Sequence, residues 1–348
     1  MKRMFICALL MTALFAVAAL TRAPKSKAMP VACTPTGFFR DAINMTAAVI
    51  NPSGPVTGMV NATGCNIGVY YGPGTSGQVK NAEIFGANYF GVVANGDAGN
   101  ISLDILNSNI HDIGESPHDG TQHGVGIYWR AFFAGGGVKG RIVGNAITAY
   151  QKGGIVTNGV GIQANISDNT VTGDGHVIFI AQNGIQIGYG ADASVMRNRV
   201  SGNSYIGFPG DGSASGGILV VGGPGYGSVG NFPCPDGGDC PYTVNTRIDG
   251  NTLVNNDVGV YLTNLAVDFS APATATNIKA VNNTISDDLC FNSSYQAAIS
   301  DVGNNDKMIT NKISGPGYTG CSTVYNPTGA AIDADVSFTN RPKVHANK

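Results

Sequence analysis

The chain has 348 residues, 50 of them glycine; only 12% are charged, and the formal net charge is −2 at neutral pH. The lack of basic excess argues against nucleic acid and anionic membrane lipid as partners, because both bind clustered positive charge. Glu83 and Glu115 are the only glutamates and lysine is sparse, so the composition disfavours a mainly helical fold.

The first 28 residues predict a signal peptide. Lys2 and Arg3 give a basic start, an uncharged apolar run covers residues 4–20, and Ser26-Lys27-Ala28 offers a cleavage site. An uncleaved anchor is the alternative, although the apolar run is at the short limit for a spanning helix. Cleavage leaves 15 basic against 22 acidic residues. We therefore expect a secreted, extracellular protein without membrane contact, with the periplasm or cell surface as other destinations.

The cysteines predict disulfides. Six remain after signal cleavage, and an even number in an exported chain is typical of a disulfide set. The sequence leaves the pairing open, but proximity along the chain favours Cys33–Cys65, Cys234–Cys240 and Cys290–Cys321. No C-x-x-C metal pattern occurs.

After the signal, two short phrases alternate along the chain. In the first, an apolar residue, an asparagine and an apolar β-former follow within a few positions. Clear copies have Asn145, Asn169, Asn198, Asn251, Asn283 and Asn311, and looser copies have Asn81 and Asn107. The second is a small residue followed by a β-branched one, at Gly91-Val92, Gly126-Ile127, Gly154-Ile155, Gly184-Ile185, Gly217-Ile218, Gly259-Val260, Ala298-Ile299 and Ala331-Ile332.

The two phrases predict a stack of about eight coils. Each short strand alternates inward apolar and outward polar residues, and it can pair in parallel with the equivalent strand one coil on, about 4.8 Å away. Asparagine tolerates left-handed backbone angles and bonds main-chain groups, so asparagines at successive corners predict a ladder. A leucine-rich repeat is disfavoured because leucines and helices are few, and a β-propeller because hairpin-linked strands are absent from the pattern.

The N-x-[ILV] … G-[IV] rhythm over residues 79–335 resembles the right-handed parallel β-helix repeats of pectin-lyase-like proteins. We therefore expect an all-β, single-stranded right-handed parallel β-helix at residues 76–340, with an N-terminal capping segment at 29–75 and a polar tail at 341–348. The resemblance implies polysaccharide as the partner class. It does not select an activity, because that superfamily includes lyases, hydrolases, epimerases, phage tailspikes and adhesins.

The extra residues of the coils fall between the first and second phrases. This spacing is seven residues from Ile84 to Gly91, but 13 to 18 residues in five other coils. These long loops are therefore all predicted at one corner, and such insertions often mark the binding face of a solenoid. Residues 222–243 are a separate insertion after a strand of the second phrase. Loops 111–125 and 172–184 contain four of the five histidines.

These loops and the strands beside them supply the candidate site residues. The catalytic candidates are His118, Asp119, His123 and His176. The substrate-binding candidates are Glu115, Gln122, Tyr128, Trp129, Arg130, Gln151, Lys152, Asp174 and Gln182. No metal site is predicted with certainty, although Asp174, Asp192 and Asp211 leave calcium as a candidate cofactor.

Pro117-His118-Asp119 resembles the core of a motif in β-helical alginate epimerases. The resemblance implies His118 as base or acid, Asp119 as its partner, and Arg130 or Lys152 as the group that neutralises a uronate carboxylate. Two departures weaken it: Ser116 replaces the leading aspartate of the motif, and the loop contains no arginine.

Two further patterns permit both a structural and a binding interpretation. Strand alternation turns one of Tyr128 and Trp129 inward and leaves the other exposed for stacking on a sugar ring. The Gln-x-small phrase at Gln122, Gln151, Gln182 and Gln296 predicts either an internal amide stack or a row of amides that bond sugar hydroxyls.

Together these features predict a monomeric, secreted β-helix that binds polysaccharide, with uronate-containing chains as candidates, and cleaves or epimerises it. The alternative is a non-catalytic surface or adhesin-type protein. A glycoside hydrolase is less favoured, because Asp287-Asp288 and His123-Gly124 occur in the reverse of the order that polygalacturonase-like sites have.

Overall fold

The computed structural model describes residues 32–133, 135–229, 240–334, 343–345 and 347. The predicted signal peptide and Cys234 lie outside the described residues. Within them the fold is all-β apart from one short 3-10 helix, Pro224–Val229. None of the described helices is long and apolar enough to cross a membrane.

One face of the molecule is an eleven-stranded sheet, called sheet A. Its strands are β1 (Thr34–Arg40), β2 (Ile43–Ile50), β4 (Ile67–Tyr71), β6 (Phe90–Asn95), β9 (Val125–Arg130), β12 (Gly153–Asn158), β15 (Asn183–Gly188), β18 (Gly216–Gly222), β21 (Val258–Asn264), β24 (Ala297–Val302) and β27 (Ile332–Ala334). β1 pairs with β2 antiparallel, and every later pair is parallel.

The remaining strands form a seventeen-stranded sheet, called sheet B. They are β3 (Val56–Asn61), β5 (Ser76–Phe85), β7 (Asn100–Leu106), β8 (Asn109–His111), β10 (Gly137–Val143), β11 (Ala146–Thr148), β13 (Ile162–Ser167), β14 (Thr170–Val177), β16 (Asp192–Met196), β17 (Arg199–Tyr205), β19 (Arg247–Asp249), β20 (Thr252–Val254), β22 (Lys279–Val281), β23 (Thr284–Ser286), β25 (Lys307–Ile309), β26 (Lys312–Ser314) and β28 (Lys343–His345).

The strand order confirms the right-handed parallel β-helix. A central coil contributes two short strands to sheet B and one to sheet A, as β10, β11 and β12 do, and each pairs with the equivalent strand of the coils before and after. The small residue of the second phrase is required by this stacking. A Cβ on Gly126 would lie 2.7 Å from the carbonyl oxygen of Gly154 and 2.7 Å from Cγ2 of Ile147.

Parallel strand pairing extends beyond residues 76–340 at both ends of the rod. β3 and β4 already pair in parallel with β5 and β6, so the coils begin before residue 76. Gly68-Val69 in β4 is a further copy of the second phrase, which explains why this segment joins the stack. At the other end, the predicted polar tail contributes β28, which pairs with β25.

The predicted asparagine ladder is present. Nδ2 of Asn251 donates to Oδ1 of Asn283 at 3.0 Å and to the carbonyl oxygen of Val195 at 3.0 Å. The same pattern links successive ladder residues: Asn145, Asn169, Asn198, Asn251, Asn283, Asn311 and Asn347. These buried amides thus satisfy each other and the backbone inside the rod.

The left-handed backbone angle belongs to the residue before each ladder position. Gly144, Asp168 and Arg197 have φ of 71°, 59° and 53°. In the two looser copies Asn81 and Asn107 take this left-handed role, and the ladder positions are Ala82 and Ser108, whose Oγ accepts a hydrogen bond from the backbone of Ala82 at 3.1 Å. At each corner, therefore, one residue has the left-handed backbone angle, and the next residue supplies the side chain of the ladder.

Two of the three predicted disulfides are confirmed: Cys33–Cys65 and Cys290–Cys321, each with Cα atoms 5.3 Å apart. Cys240 is also disulfide-bonded, and Cys234, its predicted partner, lies outside the described residues. Structural disulfides persist in oxidising environments, so the chain belongs to a compartment other than the cytoplasm.

Candidate functional site

The long loops between the first and second phrases leave the rod at the corner that joins sheet B to sheet A, as predicted. They follow β8, β14, β17, β23 and β26. The later ones pack on each other: Oγ of Ser294 donates to the carbonyl oxygen of Phe208 at 2.9 Å, and the hydroxyl of Tyr325 donates to that of Gly210 at 2.9 Å. Loops from different coils therefore form one continuous surface, called here the loop face.

On the loop face, His118 pairs with Asp174. His118 Nδ1 lies 2.6 Å from Asp174 Oδ2, although the two residues are 56 positions apart and belong to loops of different coils. Their side chains are 18% and 26% exposed. Nε2 of His118 has no partner among the described residues. An imidazole held at Nδ1 by a carboxylate, with its other nitrogen open, has the arrangement of a general base or acid.

Asp119, the predicted partner of His118, has a different role. Its Oδ1 accepts hydrogen bonds from the backbone and the hydroxyl of Thr121, at 2.9 and 2.6 Å, and from Nε2 of Gln151 at 3.1 Å. The Thr121 hydrogen bonds lower the pKa of Asp119. Asp119 therefore fixes the loop backbone next to His118, and the carboxylate that contacts the imidazole is that of Asp174.

His176 lies two residues after Asp174 on β14 and makes contacts through Nδ1 and through one face of its ring. Its Nδ1 is 2.7 Å from Oγ of Ser204, and Ser204 donates to Oδ1 of Asp257 at 2.7 Å. Its ring stacks on Phe291 with centroids 3.6 Å apart. Desolvation lowers the pKa of His176. Four segments of the chain thus meet at this one imidazole.

The other two loop histidines pair with carboxylates and stack on aromatic rings. His123 is 7% exposed, with Nε2 at 2.8 Å from Oε1 of Glu115 and its ring stacked on Tyr89 at 3.9 Å. His111 lies between Glu83 and Asp112 and stacks on Phe85. The predicted catalytic candidate His123 and the predicted binding candidate Glu115 are thus joined in a pair that packs the loop against the rod.

The buried glutamines fix the long loops instead of stacking on one another. Gln151 accepts backbone hydrogen bonds from Glu115 and Asp119, both at 3.1 Å. Gln182 accepts one from the backbone of Asp174 at 2.9 Å and donates to its Oδ2 at 3.1 Å. Gln122 differs, because its side chain is exposed.

Lys152 places a cation between the first two loops. Its Nζ donates to the carbonyl oxygen of Ala181 at 2.9 Å, and its backbone N–H donates to Gly124 at 2.9 Å. The side chain is partly buried, and desolvation lowers the pKa of the amine to about 8. Lys152 therefore remains mostly protonated at neutral pH while being easier to deprotonate than an exposed lysine.

Three predicted binding residues lie elsewhere. Trp129 is 0% exposed in the core, and Tyr128 is 3% exposed because it stacks on Phe90 in a cluster that includes Phe38 of β1. The expectation that one of this pair faces solvent is therefore wrong. Arg130 ends β9, five residues along the strand from the loop face, and pairs with Asp97 at 2.6 Å. Its guanidinium is thus held by Asp97 at the far end of β9 from the loop that carries His118.

Sequence reasoning did not find Ser204, Asp257 and Phe291. Ser204 and Asp257 are 2% and 1% exposed, and neither belongs to a recognisable motif. Burial raises the pKa of Asp257 to about 7, against the opposing effect of its hydrogen-bond donors. The three residues belong to later coils than His176, so their meeting with His176 depends on the stacking of the rod.

No group of three or more His, Cys, Asp or Glu side chains suited to a metal ion occurs in the described part of the chain. Of the acids that made calcium a candidate, Asp174 contacts His118, and Asp211 accepts hydrogen bonds from Ser294 and the backbone of Ser213. Asp192 is an exposed residue of β16. Two of the three acids, Asp174 and Asp211, therefore have hydrogen-bond partners from the protein itself.

Comparisons with known proteins find structural likeness only. No protein-family model matches the chain, and no curated protein matches it. The Dettilon tailspike protein (gp208) is 15% identical, with 87% of this chain and 63% of that chain covered and a TM-score of 0.41. GH136 lacto-N-biosidase from Eubacterium ramulus is 11% identical, with 83% and 55% covered and a TM-score of 0.44. The chain spans less than two thirds of either protein's length.

Proposed function

We propose that this chain is a secreted, monomeric β-helix protein that binds an extended polysaccharide along its loop face and acts on it by proton transfer, as a lyase or epimerase does. The observation that carries the proposal is the His118–Asp174 contact of 2.6 Å between loops of different coils. The His123 side chain is 9% exposed and packed against the rod, whereas the His118 side chain is 18% exposed and its Nε2 makes no hydrogen bond to a described residue.

The proposed chemistry begins at a carbon next to a uronate carboxylate. Nε2 of His118 removes the proton from that carbon, and the electron pair is delocalised into the carboxylate. Asp174 stabilises the imidazolium that forms. The anion then either takes a proton on its opposite face, which inverts the carbon, or expels the neighbouring glycosidic oxygen, which leaves an unsaturated sugar.

Lys152 is the proposed group that neutralises the carboxylate. It is the candidate cation attached to both loops that carry the pair, through Gly124 and Ala181. A partly desolvated ammonium interacts more strongly with an anion than an exposed one does, because the local dielectric constant is lower. This assigns to Lys152 alone the role that Arg130 shared in the sequence-based prediction.

Exposed aromatic side chains on the later loops supply the proposed sugar-stacking surface, in place of Tyr128 and Trp129. Phe208, Phe291 and Tyr325 are 83%, 37% and 53% exposed. Their loops are joined by the Ser294 and Tyr325 hydrogen bonds, so the rings lie on one surface. A pyranose has an apolar C–H face that suits such rings.

The test compares the wild type with His118→Ala and Asp174→Asn on a panel of uronate-containing and neutral polysaccharides. Lyase action is detected by the ultraviolet absorbance of unsaturated uronates, and epimerisation by deuterium uptake from D₂O. We expect His118→Ala to lose about 10²–10⁴-fold in turnover. His111→Ala is the matched control, since His111 is also paired with carboxylates but makes no contact with the 172–182 loop.

Three results would contradict the proposal in different ways. Retained activity in both His118→Ala and Asp174→Asn would exclude this site. Hydrolysis products without unsaturation would replace proton abstraction by glycoside hydrolysis. Binding without turnover by the wild type across the panel would favour the alternative, a non-catalytic adhesin-type protein of the cell surface.

A further inference from the structure

We propose that Ser204 and Asp257 are positioning residues that hold His176 in its Nδ1–H tautomer, so that Nε2 of His176 is a second proton-transfer group beside His118. This inference deepens the proposed function and rests on it for its catalytic part. The tautomer itself follows from hydrogen bonding and can be tested without a substrate.

The contacts of Asp257 decide the direction of the hydrogen bonds. Its Oδ2 accepts from the backbone N–H groups of Tyr205 and Ser215, at 2.9 and 2.8 Å, and from Nδ2 of Asn292 at 3.0 Å. Its Oδ1 accepts from the hydroxyl of Ser204 at 2.7 Å. Four donors around this buried carboxylate stabilise its ionised form, which predominates above the raised pKa of Asp257, about 7, so above that pH Ser204 is the donor in this contact.

The tautomer of His176 follows from the single proton of the Ser204 hydroxyl. Because that proton is donated to Asp257, the Ser204 oxygen must act as acceptor in its 2.7 Å contact with His176 Nδ1. Nδ1 of His176 therefore carries the hydrogen, and the lone pair of the neutral ring is on Nε2. The same hydrogen bonds stabilise the imidazolium, since its Nδ1–H faces an oxygen bonded to a carboxylate.

The arrangement contains the residue types of a hydrolytic triad but cannot act as one. In such a triad the histidine lies between the serine and the acid. Here the serine is in the middle, is 2% exposed, and donates its proton to the acid. Ser204 is therefore unable to attack a substrate, and the exposed member of the series is the imidazole.

Phe291 fixes the plane of the ring. The two rings are 3.6 Å apart with an interplanar angle of 9°. Phe291 is itself held by a hydrogen bond from its backbone N–H to Oε1 of Gln296 at 2.9 Å and follows Cys290, which is bonded to Cys321. With one face stacked and Nδ1 bonded, His176 can present only Nε2 and its open face to a ligand.

The position of His176 suits a role opposite His118. Asp174 and His176 are two residues apart on β14 and are both exposed, whereas Val171 and Val177 of the same strand are buried. Residues at this separation in a strand have Cα atoms about 7 Å apart. A sugar ring bound over β14 would thus lie near both imidazoles. One accepts the proton from carbon, and the other, as imidazolium, returns a proton from Nε2 to the opposite face or to the leaving oxygen.

Proton-detected ¹⁵N NMR of the histidine rings tests the tautomer directly. The chain has five histidines, and His176→Gln assigns the signal. At about pH 8, where the His176 ring is neutral and Asp257 is ionised, we expect the Nδ1–H form in the wild type and a shift to the Nε2–H form in Ser204→Ala. Ser215→Ala is the matched control. Ser215 is also buried against Asp257, but its hydroxyl accepts from the backbone of Gln182 and does not contact His176.

The groups that titrate around His176 are Asp257 behind Ser204, Asp174 with its partner His118, and Tyr205, the residue after Ser204. The tautomer is therefore measured across a pH series in wild type and in Ser204→Ala. A wild-type ring in the Nε2–H form, or one whose tautomer is unchanged by Ser204→Ala, would overturn the inference. If Ser204→Ala does not fold, the wild-type tautomer alone decides.

The catalytic part is separated from the tautomer by kinetics on whichever polysaccharide the wild type turns over. We expect Ser204→Ala to lower kcat about tenfold or more with little change in KM, and to shift one limb of the pH–rate profile. An Nδ1–H tautomer with an unchanged pH–rate profile would overturn the catalytic role of His176 and leave the proposed function of His118 standing. Activity that is lost in His118→Ala but retained in full in Ser204→Ala would overturn that role in the same way.

Discussion

Gln151 holds Asp119 from two directions. Its Nε2 donates to Oδ1 of Asp119 at 3.1 Å, and its Oε1 accepts the backbone N–H of the same residue at 3.1 Å. Gln151 is 0% exposed and lies two residues before β12. A residue of one coil therefore determines the conformation of the loop that carries His118 on the coil before it. The conformation of loop 111–124 thus depends on the stacking of neighbouring coils.

Replacing Gln151 should therefore loosen the His118 loop. Gln151→Ala leaves the N–H groups of Glu115 and Asp119 without their acceptor, and we expect a loss of about 2–4 kcal/mol in the free energy of unfolding. Urea denaturation measures the loss, and amide hydrogen exchange should locate it in residues 111–124. The matched control is Gln122→Ala, an exposed glutamine expected to change stability by about 0.5 kcal/mol or less. Equal effects of the two substitutions would contradict the role assigned to Gln151.

The asparagine ladder gives a second prediction. Asn251 lies in its middle: it accepts hydrogen bonds from the backbone and Nδ2 of Asn198 and donates to Asn283. Asn251→Ala leaves buried groups of both neighbours unpaired, so we expect a loss of about 2–4 kcal/mol in unfolding free energy. Asn109→Ala, at an exposed strand position, is the control and should be nearly neutral. A mild effect at Asn251 would mean that water or backbone relaxation replaces the ladder contacts.

The ladder was predictable from sequence, and the His118–Asp174 pair was not. A polar residue that recurs between apolar residues once per coil needs a partner inside the rod, and the equivalent residue of the next coil is the one available. By contrast, loops 111–124 and 172–182 have no common period. Their contact depends on where each loop turns, which Gln151 and Gln182 determine from other parts of the chain.

Tyr128 is a second position where the sequence did not reveal a contact between distant segments. Alternation along β9 correctly turns Trp129 inward and Tyr128 to the opposite side. The outer side is nevertheless covered, because Phe38 of β1 packs in the same cluster as Phe90 and Tyr128. A strand pattern specifies which face a side chain is on, but it holds no information on whether a distant segment covers that face.

The buried carboxyl groups predict how stability depends on pH. Burial raises the pKa of Asp257 to about 7 and of Asp287 to about 6, and it raises those of the neighbouring Asp301 and Asp306. Unfolded aspartates titrate near about 3.9. Between these values the folded chain binds more protons than the unfolded chain, so the free energy of unfolding should fall as pH rises from about 4 to 7.

Urea denaturation at pH 5 and pH 8 checks this direction. Each additional proton bound by the folded state contributes a slope of roughly 1.4 kcal/mol per pH unit. Asp301→Asn should reduce the fall, because burial and the neighbouring Asp306 raise the pKa of Asp301, and a neutral amide removes this titrating group. Asp268→Asn, a substitution at an exposed residue whose pKa is lowered, should leave the slope between pH 5 and pH 8 unchanged. A stability that rises over this range would contradict the prediction.

The buried amine of Lys152 predicts how polysaccharide binding depends on pH above neutrality. Burial lowers the pKa of its amine to about 8, so its positive charge is lost as pH rises through that value. Affinity for a uronate polymer should therefore fall between pH 7 and pH 9, by roughly fivefold or about 1 kcal/mol. Affinity for a neutral polysaccharide should stay constant, since no ion pair is lost.

Two substitutions at Lys152 separate this effect from a general change in charge. Lys152→Arg keeps its charge at pH 9, because a guanidinium does not deprotonate in this range, and should retain the binding that the wild type loses. Lys152→Gln should bind the uronate polymer weakly at both pH values. Calorimetric titration of the three proteins at pH 7 and pH 9 measures the differences. If the wild type and Lys152→Gln show the same pH dependence, the carboxylate of the polysaccharide lies away from Lys152, and the loop face holds its anion through another group.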